Sequence, residues 1–158
     1  MENDKEIRAT GGFWTNYATF KVNNGMLSSD FSGKDMYSID FILDEIDPYH
    51  TFPTVPEKYE KWLKVERMYA RDANISPDFP TAIDQWMYFY DLAQNVRPWE
   101  VKPIEGVVAI DTQVVKELLE VTGPVTANGI TFTEDNVVLE LEKIASLSLA
   151  EQANRKKV

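Results

Sequence analysis

The chain has 158 residues, is 44% apolar and 12% aromatic, and so has the length and composition to bury a substantial core as a single domain. A formal net charge of −10, with no stripe of Lys and Arg, disfavours nucleic acid as a partner. The absence of Cys excludes disulfides, thiolate zinc sites and thiol nucleophiles. No run approaches the ~20 apolar residues needed to cross a bilayer, so we expect membrane contact only through segments outside this chain.

Local patterns in the first 70 residues predict strands joined by a tight turn, then a further strand and a helix. Phe13–Val22 is rich in β-branched and aromatic residues, and Asn23–Gly25 supplies residues that adopt positive φ in hairpins. A second strand is therefore expected through Leu27. Tyr37–Leu43 fits neither period cleanly and could form a strand or a short helix, of which we predict the strand. A helix is predicted over Pro56–Ala70, because proline suits the first helical turn.

The second half of the chain predicts a polar loop followed by alternating elements. Arg71–Pro80 is broken by Asn, Ser, Pro and Asp residues, whereas apolar residues recur at helical spacing over Thr81–Asn95. Gly106–Asp111 is a short apolar run, typical of a central strand buried on both faces. We expect the remaining elements to be a helix that ends at Thr122, a hairpin over Val125–Phe132 and a last helix over Thr133–Leu149.

The order of these elements indicates an α/β fold, with α+β as the alternative, in which a mixed β-sheet is layered with about four helices. Within it, Trp86–Tyr90 is apolar on every side of its helix. This run is either a helix covered by sheet and loop or an exposed aromatic face that meets lipid, glycan or a partner. We favour the covered helix.

The residues from Glu6 to Gly12 form the most concentrated polar signature. Glu6 and Arg8 lie two residues apart, so their side chains share one side of an extended chain. Gly11 and Gly12 then let backbone N–H groups approach an anion, as in phosphate-binding loops. The alternative is a structural bend in which Arg8 pairs with Glu6 or Asp4, and the pattern alone favours it.

Two further positions carry polar groups that suit a ligand. Arg71, Asp72 and Asn74 lie on a loop, where functional groups concentrate, although capping and turn roles are more frequent there. Asp111 follows the predicted buried strand, where open α/β sheets gather ligands, or it caps the next helix, which we favour slightly. His50 is the sole histidine and reads as a loop residue, which argues against Ser-His or multi-histidine chemistry.

Several segments together resemble a bacterial family, domain of unknown function 4012. They are Asn3–Gly12, Arg71–Pro80, Gly106–Asp111, Thr122–Val125 and Thr133–Asn136. The resemblance covers almost the whole chain and implies an extracytoplasmic part of a membrane-anchored protein, at the outer face of the cell membrane or in the cell wall. Members usually have a strand before the Asn3 position and a helix after the Arg155 position. The resemblance thus implies a fragment, residues 1–158, with an exposed strand edge that favours self-association.

The family is in turn similar to the LytR-CpsA-Psr phosphotransferases, which attach glycopolymers carried on polyprenyl pyrophosphate to the cell wall. Those enzymes hold the pyrophosphate with arginines and a divalent cation with carboxylates. The resemblance implies that Arg8, Arg71 and Arg155 are the matching arginines, and it makes a divalent cation such as Mg²⁺ the candidate cofactor. Ser29–Asp35 stands where those enzymes have Ser-x-Pro-Arg-Asp, but it contains Lys34 and no Arg, so the transferase chemistry is not matched.

We therefore expect an extracytoplasmic domain that binds a phosphate-bearing polymer or a polyprenyl-pyrophosphate-linked precursor through Arg8 and Arg71. The alternative is a non-catalytic module that binds protein or glycan. Geometry discriminates between them, because the phosphate hypothesis requires Arg8, Arg71 and at least one of Glu6, Asp72 or Asp111 to converge.

Overall fold

The computed structural model of the chain describes residues 2–3, 8–10 and 13–144. Over these residues the protein combines five α-helices with short two-stranded antiparallel sheets, which places it in the α/β or α+β class. Contacts group the chain into two compact units, residues 1–109 and residues 110–158. No helix within the described ranges is long and apolar enough to cross a membrane.

The described part of the first unit contains three antiparallel pairs of strands. β1 (Glu2–Asn3) pairs with β2 (Phe13–Trp14), and β3 (Asn16–Thr19) pairs with β6 (Ser32–Asp35). In the segment of chain between β3 and β6, β4 (Val22–Asn23) pairs with β5 (Met26–Leu27). The turn Asn24-Gly25 has φ of 51° and 79°, the positive values that favour Asn and Gly in a tight hairpin. The predicted hairpin is therefore confirmed.

The segment predicted as a strand over Tyr37–Leu43 is a helix, α1 (Tyr37–Asp44), so that prediction is wrong. Its buried residues, Ile39, Asp40, Ile42 and Leu43, recur at the spacing of one helical face. The Asp35 carboxylate accepts the Ser38 N–H at 2.9 Å and thereby satisfies a donor at the helix start. Burial against the rest of the unit thus selects a helix in a segment whose own periodicity is ambiguous.

The predicted helix over Pro56–Ala70 is also too long, because α2 spans only Glu57–Leu63. It ends where Lys64 adopts the left-handed conformation, with φ of 53°. The chain beyond it is extended, and Arg67 forms an isolated antiparallel bridge with Thr54. The Met68 N–H donates to the Pro53 carbonyl at 2.8 Å. These longer-range contacts replace the hydrogen bonds that a continued helix would have made.

The central helix of the first unit is α3 (Phe79–Val96), which confirms the helix predicted over Thr81–Asn95. The Asp78 carboxylate caps it by accepting the Thr81 N–H at 3.0 Å. Trp86, Phe89 and Tyr90 are buried in one core cluster that also includes apolar residues of α1. The covered-helix interpretation of the aromatic run is therefore confirmed for these three residues.

The second unit follows the predicted order of helix, hairpin and helix. Its elements are α4 (Thr112–Thr122), β7 (Val125–Ala127), β8 (Ile130–Phe132) and α5 (residues 137–144). Thr133 and Asn136 bond reciprocally before α5, since each backbone N–H donates to the other's side-chain oxygen. The part of the predicted last helix beyond residue 144 lies outside the described residues.

The central strand predicted over Gly106–Asp111 does not form, and residues 106–111 have no regular structure. Val108 is 79% exposed, so the run is not buried on both faces. A central strand needs a partner on each edge, whereas every strand in the described part of the chain has one partner and pairs antiparallel. The predicted mixed sheet is accordingly replaced by separate antiparallel pairs.

Candidate functional site

The candidate site is built on a single turn of 3-10 helix, Ala70–Asp72, that follows the extended segment after α2. Asp40 of α1 holds this turn with both of its carboxylate oxygens. Its Oδ1 accepts the Ala70 N–H at 2.7 Å, and its Oδ2 accepts from Arg71 Nη1 at 2.8 Å. One buried carboxylate therefore fixes both the backbone of the turn and the side chain that the turn presents.

Asp72 joins the two arginines that the sequence singled out. Its Oδ1 lies 3.4 Å from Arg8 Nη2, and its Oδ2 lies 3.7 Å from Arg71 Nε. Asn74 Nδ2 donates to Thr10 Oγ1 at 3.1 Å, so the N-terminal segment is tied to the loop at a second point. Residues 64 positions apart in sequence are thereby brought together.

The aspartate side chains of this cluster are more deeply buried than its arginine side chains. Asp40 and Asp72 side chains are 2% and 6% exposed, compared with 17% for Arg8 and 20% for Arg71. The arginine side chains are therefore the part of the cluster that is more accessible to an incoming molecule.

Burial raises the pKa of the Asp40 carboxyl from 3.8 to about 6. The charge of Arg71 and the hydrogen bonds from Ala70 and Arg71 lower that pKa, but desolvation outweighs them, and the nearby Asp72 raises it further. Asp40 is therefore ionised at neutral pH and takes up a proton in mildly acidic solution. Protonation of Asp40 removes one negative charge from the cluster.

Aromatic rings and guanidinium groups alternate along one side of the cluster. The Arg67 guanidinium carbon lies 4.2 Å from the Phe52 ring centroid and 4.0 Å from that of Tyr69. The Arg71 guanidinium carbon lies 4.0 Å from the Tyr69 ring and 5.1 Å from the Tyr37 ring. We call these five residues the cation–aromatic ladder. It links the candidate site to a neighbouring cleft of about 500 Å³ that Arg67 and Tyr69 help to line.

The structure thus brings four of the predicted site residues together, namely Arg8, Arg71, Asp72 and Asn74. The convergence that the phosphate hypothesis requires is present at Asp72. The alternative in which Arg8 pairs with Glu6 or Asp4 concerns residues 4–7, which lie outside the described residues. Glu6, Gly11, Gly12 and Arg155 lie outside the described residues.

Asp111 belongs to the second unit and acts as the N-cap of α4. Its Oδ1 accepts the Val114 N–H at 3.0 Å. The capping role that the sequence slightly favoured is therefore confirmed, and the strand that would have carried Asp111 to a sheet edge is not formed.

Sequence reasoning missed Asp40, Arg67 and Tyr69. Asp40 had a detectable signal, since it is a lone carboxylate inside the apolar run Tyr37–Leu43, and such a group is buried only with a partner. Arg67 and Tyr69 had no such signal, because both lie in the helix predicted over Pro56–Ala70, which in fact ends at Leu63.

Within the described part of the chain, no three His, Asp or Glu side chains lie close enough together to hold a metal ion. The two carboxylates of the candidate site both bond to arginines. Of Ser29–Asp35, residues Ser32–Asp35 form β6, and Lys34 there lies 3.6 Å from the Glu100 carboxylate.

Comparison with known proteins places the chain in a family but not beside a characterised relative. Residues 1–145 match the family described as "Protein of unknown function (DUF4012)". No curated protein and no solved structure matches the chain.

Proposed function

We propose that this chain, which belongs to the DUF4012 family of proteins of unknown function, binds a phosphate-bearing polymer or a polyprenyl-pyrophosphate-linked precursor at the outer face of the cell membrane or in the cell wall. The observation that carries the proposal is that Arg8 and Arg71, from distant parts of the sequence, flank the single carboxylate of Asp72. The proposal concerns binding and assigns no residue to phosphoryl transfer.

The physical basis of the proposal is the fixed presentation of two guanidinium groups. A guanidinium matches the oxygens of a phosphate with parallel hydrogen bonds, and it stays charged at every relevant pH. Arg8 stacks 5.0 Å from the Phe13 ring and contacts Asp72, so the folded state already restricts its side chain. Less conformational entropy is then lost when an anion binds.

The burial of the anionic partners favours the approach of an anion at this position. The chain as a whole carries a formal charge of −10, which repels anions at long range. At the site, by contrast, the buried Asp40 and Asp72 neutralise the arginines from behind. An anion that approaches the cluster therefore meets the arginine side chains before the carboxylates.

The test is a calorimetric titration of the chain with pyrophosphate and with polyprenyl pyrophosphate in detergent, each with and without Mg²⁺. Arg8→Ala is expected to weaken binding roughly tenfold to a hundredfold, the usual range for a lost hydrogen bond between charged groups. Arg97→Ala is the matched control, because Arg97 pairs with Glu45 and Glu100 away from the cluster. Equal affinities for wild type and Arg8→Ala would remove Arg8 from the site.

Exposed aromatic side chains support a second proposal, a non-catalytic module that binds glycan. Tyr49, Trp62 and Trp99 are 91%, 72% and 79% exposed, and aromatic rings stack on the apolar faces of sugars. Titration with cell-wall oligosaccharides, followed by tryptophan fluorescence, tests it. Trp62→Ala and Trp99→Ala should then lose the response, whereas Arg8→Ala should keep it. An unchanged response in both tryptophan variants would reject this proposal.

A further inference from the structure

Tyr69 lies in contact with two guanidinium groups, each 4.0 Å from its ring centroid. Two cations beside one ring repel each other unless each has its own anionic partners. Arg67 has Asp44 at 2.6 Å and Asp47 at 2.9 Å. Arg71 has the carboxylates of the candidate site, so both contacts with Tyr69 are attractive.

The contacts of Arg71 divide into two kinds that fix different degrees of freedom. Its Nη1 and Nε lie 2.8 Å from Asp40 and 3.7 Å from Asp72, and these ion pairs set the direction of the guanidinium within its own plane. The Tyr69 ring contacts the guanidinium as a stacking surface and so restricts the tilt of that plane. Removing the Tyr69 ring leaves the ion pairs and the more distant Tyr37 ring, 5.1 Å from the guanidinium carbon, but loosens the tilt of the guanidinium plane.

Arg67 supports Tyr69 from the other end of the ladder. Its side chain is 12% exposed, is held by Asp44 and Asp47, and packs on Phe52, which is buried in the core. Asp44 and Asp47 are about half exposed, so water replaces Arg67 cheaply if it is substituted. Arg67 can therefore be substituted without leaving a buried, unpaired carboxylate.

We propose that Tyr69 is a positioning residue of the anion site, which holds the Arg71 guanidinium in its binding orientation, with Arg67 as the outer anchor. This inference rests on the function proposed above. Tyr69 acts only through Arg71 and makes no contact with the anion. The phenol hydroxyl has no part in this role, so a phenylalanine ring should replace it.

The test has a first part that needs no ligand. Rotation of the Arg71 guanidinium about its Cδ–Nε bond, which tilts the guanidinium plane, is measured by side-chain NMR of the full chain in wild type, Tyr69→Phe and Tyr69→Leu. We expect the Phe variant to match wild type and the Leu variant to rotate at least tenfold faster. Tyr49→Leu is the control, since Tyr49 is 91% exposed and should leave the rate unchanged.

The second part measures the affinity of the same variants for pyrophosphate. Tyr69→Leu is expected to bind about fivefold more weakly, which corresponds to about 1 kcal/mol and to one cation–aromatic contact. Tyr69→Phe should stay within about twofold of wild type. Arg67→Gln keeps the ring and removes its anchor, so it should accelerate Arg71 rotation even if Tyr69→Leu does not fold.

The two parts separate the inference from the function on which it rests. If the wild-type chain does not bind pyrophosphate, the proposed function is rejected. A rotation rate of Arg71 that depends on the Tyr69 ring would still support the positioning role. If Arg71 rotates as slowly in Tyr69→Leu and Arg67→Gln as in wild type, the positioning role is rejected whatever the affinities are.

Discussion

Replacing Asp40 by asparagine is expected to make the stability difference between wild type and variant depend on pH. Burial raises the pKa of Asp40 from 3.8 to about 6, so the folded chain binds this proton more tightly than the unfolded chain does. The stability that Asp40 contributes is therefore fully present below its unfolded pKa. It is lost as pH rises through the folded pKa of about 6.

The magnitude follows from the size of the pKa change. One pKa unit corresponds to about 1.4 kcal/mol, so a rise of roughly two units amounts to about 3 kcal/mol of unfolding free energy. The asparagine side chain of the variant has no titrating proton, and its amide oxygen can still accept the Ala70 N–H that Asp40 accepts. Relative to wild type, Asp40→Asn should thus gain about 3 kcal/mol between mildly acidic and neutral pH.

Urea unfolding, followed by tryptophan fluorescence at several pH values from about 4 to about 7.5, measures this change. The folded pKa of Asp40 already includes the attraction of Arg71, so a constant offset between the two curves reports only the exchange of a protonated carboxyl for an amide, and the slope isolates the Asp40 proton. Asp78→Asn is the control, because the hydroxyl and amide of Thr81 lower the pKa of Asp78 from 3.8, so the stability that Asp78 contributes is lost only below the measured range and the difference for this variant should stay nearly flat. A pH-independent difference for Asp40→Asn, or one of reversed slope, would refute the reasoning.

Three further outcomes are expected. Sulfate, whose charge is constant in this range, should bind more tightly to wild type as pH falls through about 6, and calorimetry should show no such trend for Asp40→Asn. Lys64→Gly should raise the melting temperature by about 2 °C, because φ of 53° strains a residue with a Cβ; an unchanged or lower value in a thermal scan would contradict this. Asp111→Ala should destabilise α4 by about 1 kcal/mol, seen as faster amide exchange over residues 112–122, and unaltered protection would count against the cap.

Local signals in the sequence predicted the elements that depend on local physics. Asn24-Gly25 and Asn128-Gly129 both adopt the positive φ values that their hairpins require. α3 carries enough apolar residues at helical spacing to be recognised over its whole length, and its Asp78 cap lies immediately before it. Each of these features is decided by residues that are neighbours in sequence.

Elements decided by distant contacts were predicted wrongly. Tyr37, Ile39 and Phe41 alternate as in a strand, but the buried set of α1 shows that packing selects the helical face instead. Gly106–Asp111 has the composition of a buried strand, yet no neighbouring strand in the described part of the chain receives it. A strand exists only as part of a pair, and a sequence pattern does not specify the partner.

The candidate site was predictable in its residues but not in its pairings. Resemblance to a family drew attention to Arg8 and Arg71, which spacing alone had assigned to a structural bend and a loop. The partners that make these residues one cluster are Asp72 and Asp40, which lie 64 residues from Arg8 and 31 from Arg71. Neither pairing follows from periodicity, because both depend on how α1 and the Ala70–Asp72 turn pack.

The same packing determines which variants separate function from folding. Asp40 bonds to the backbone of the turn as well as to Arg71, so replacing Arg71 leaves a buried carboxylate without its charged partner. A loss of binding in Arg71→Ala would therefore not distinguish a missing ligand contact from a disrupted turn. Arg8 is a sharper probe, because Asp72 retains Arg71 as a partner when Arg8 is removed. An effect of Arg8→Ala on anion affinity at unchanged melting temperature would thus report on the site itself.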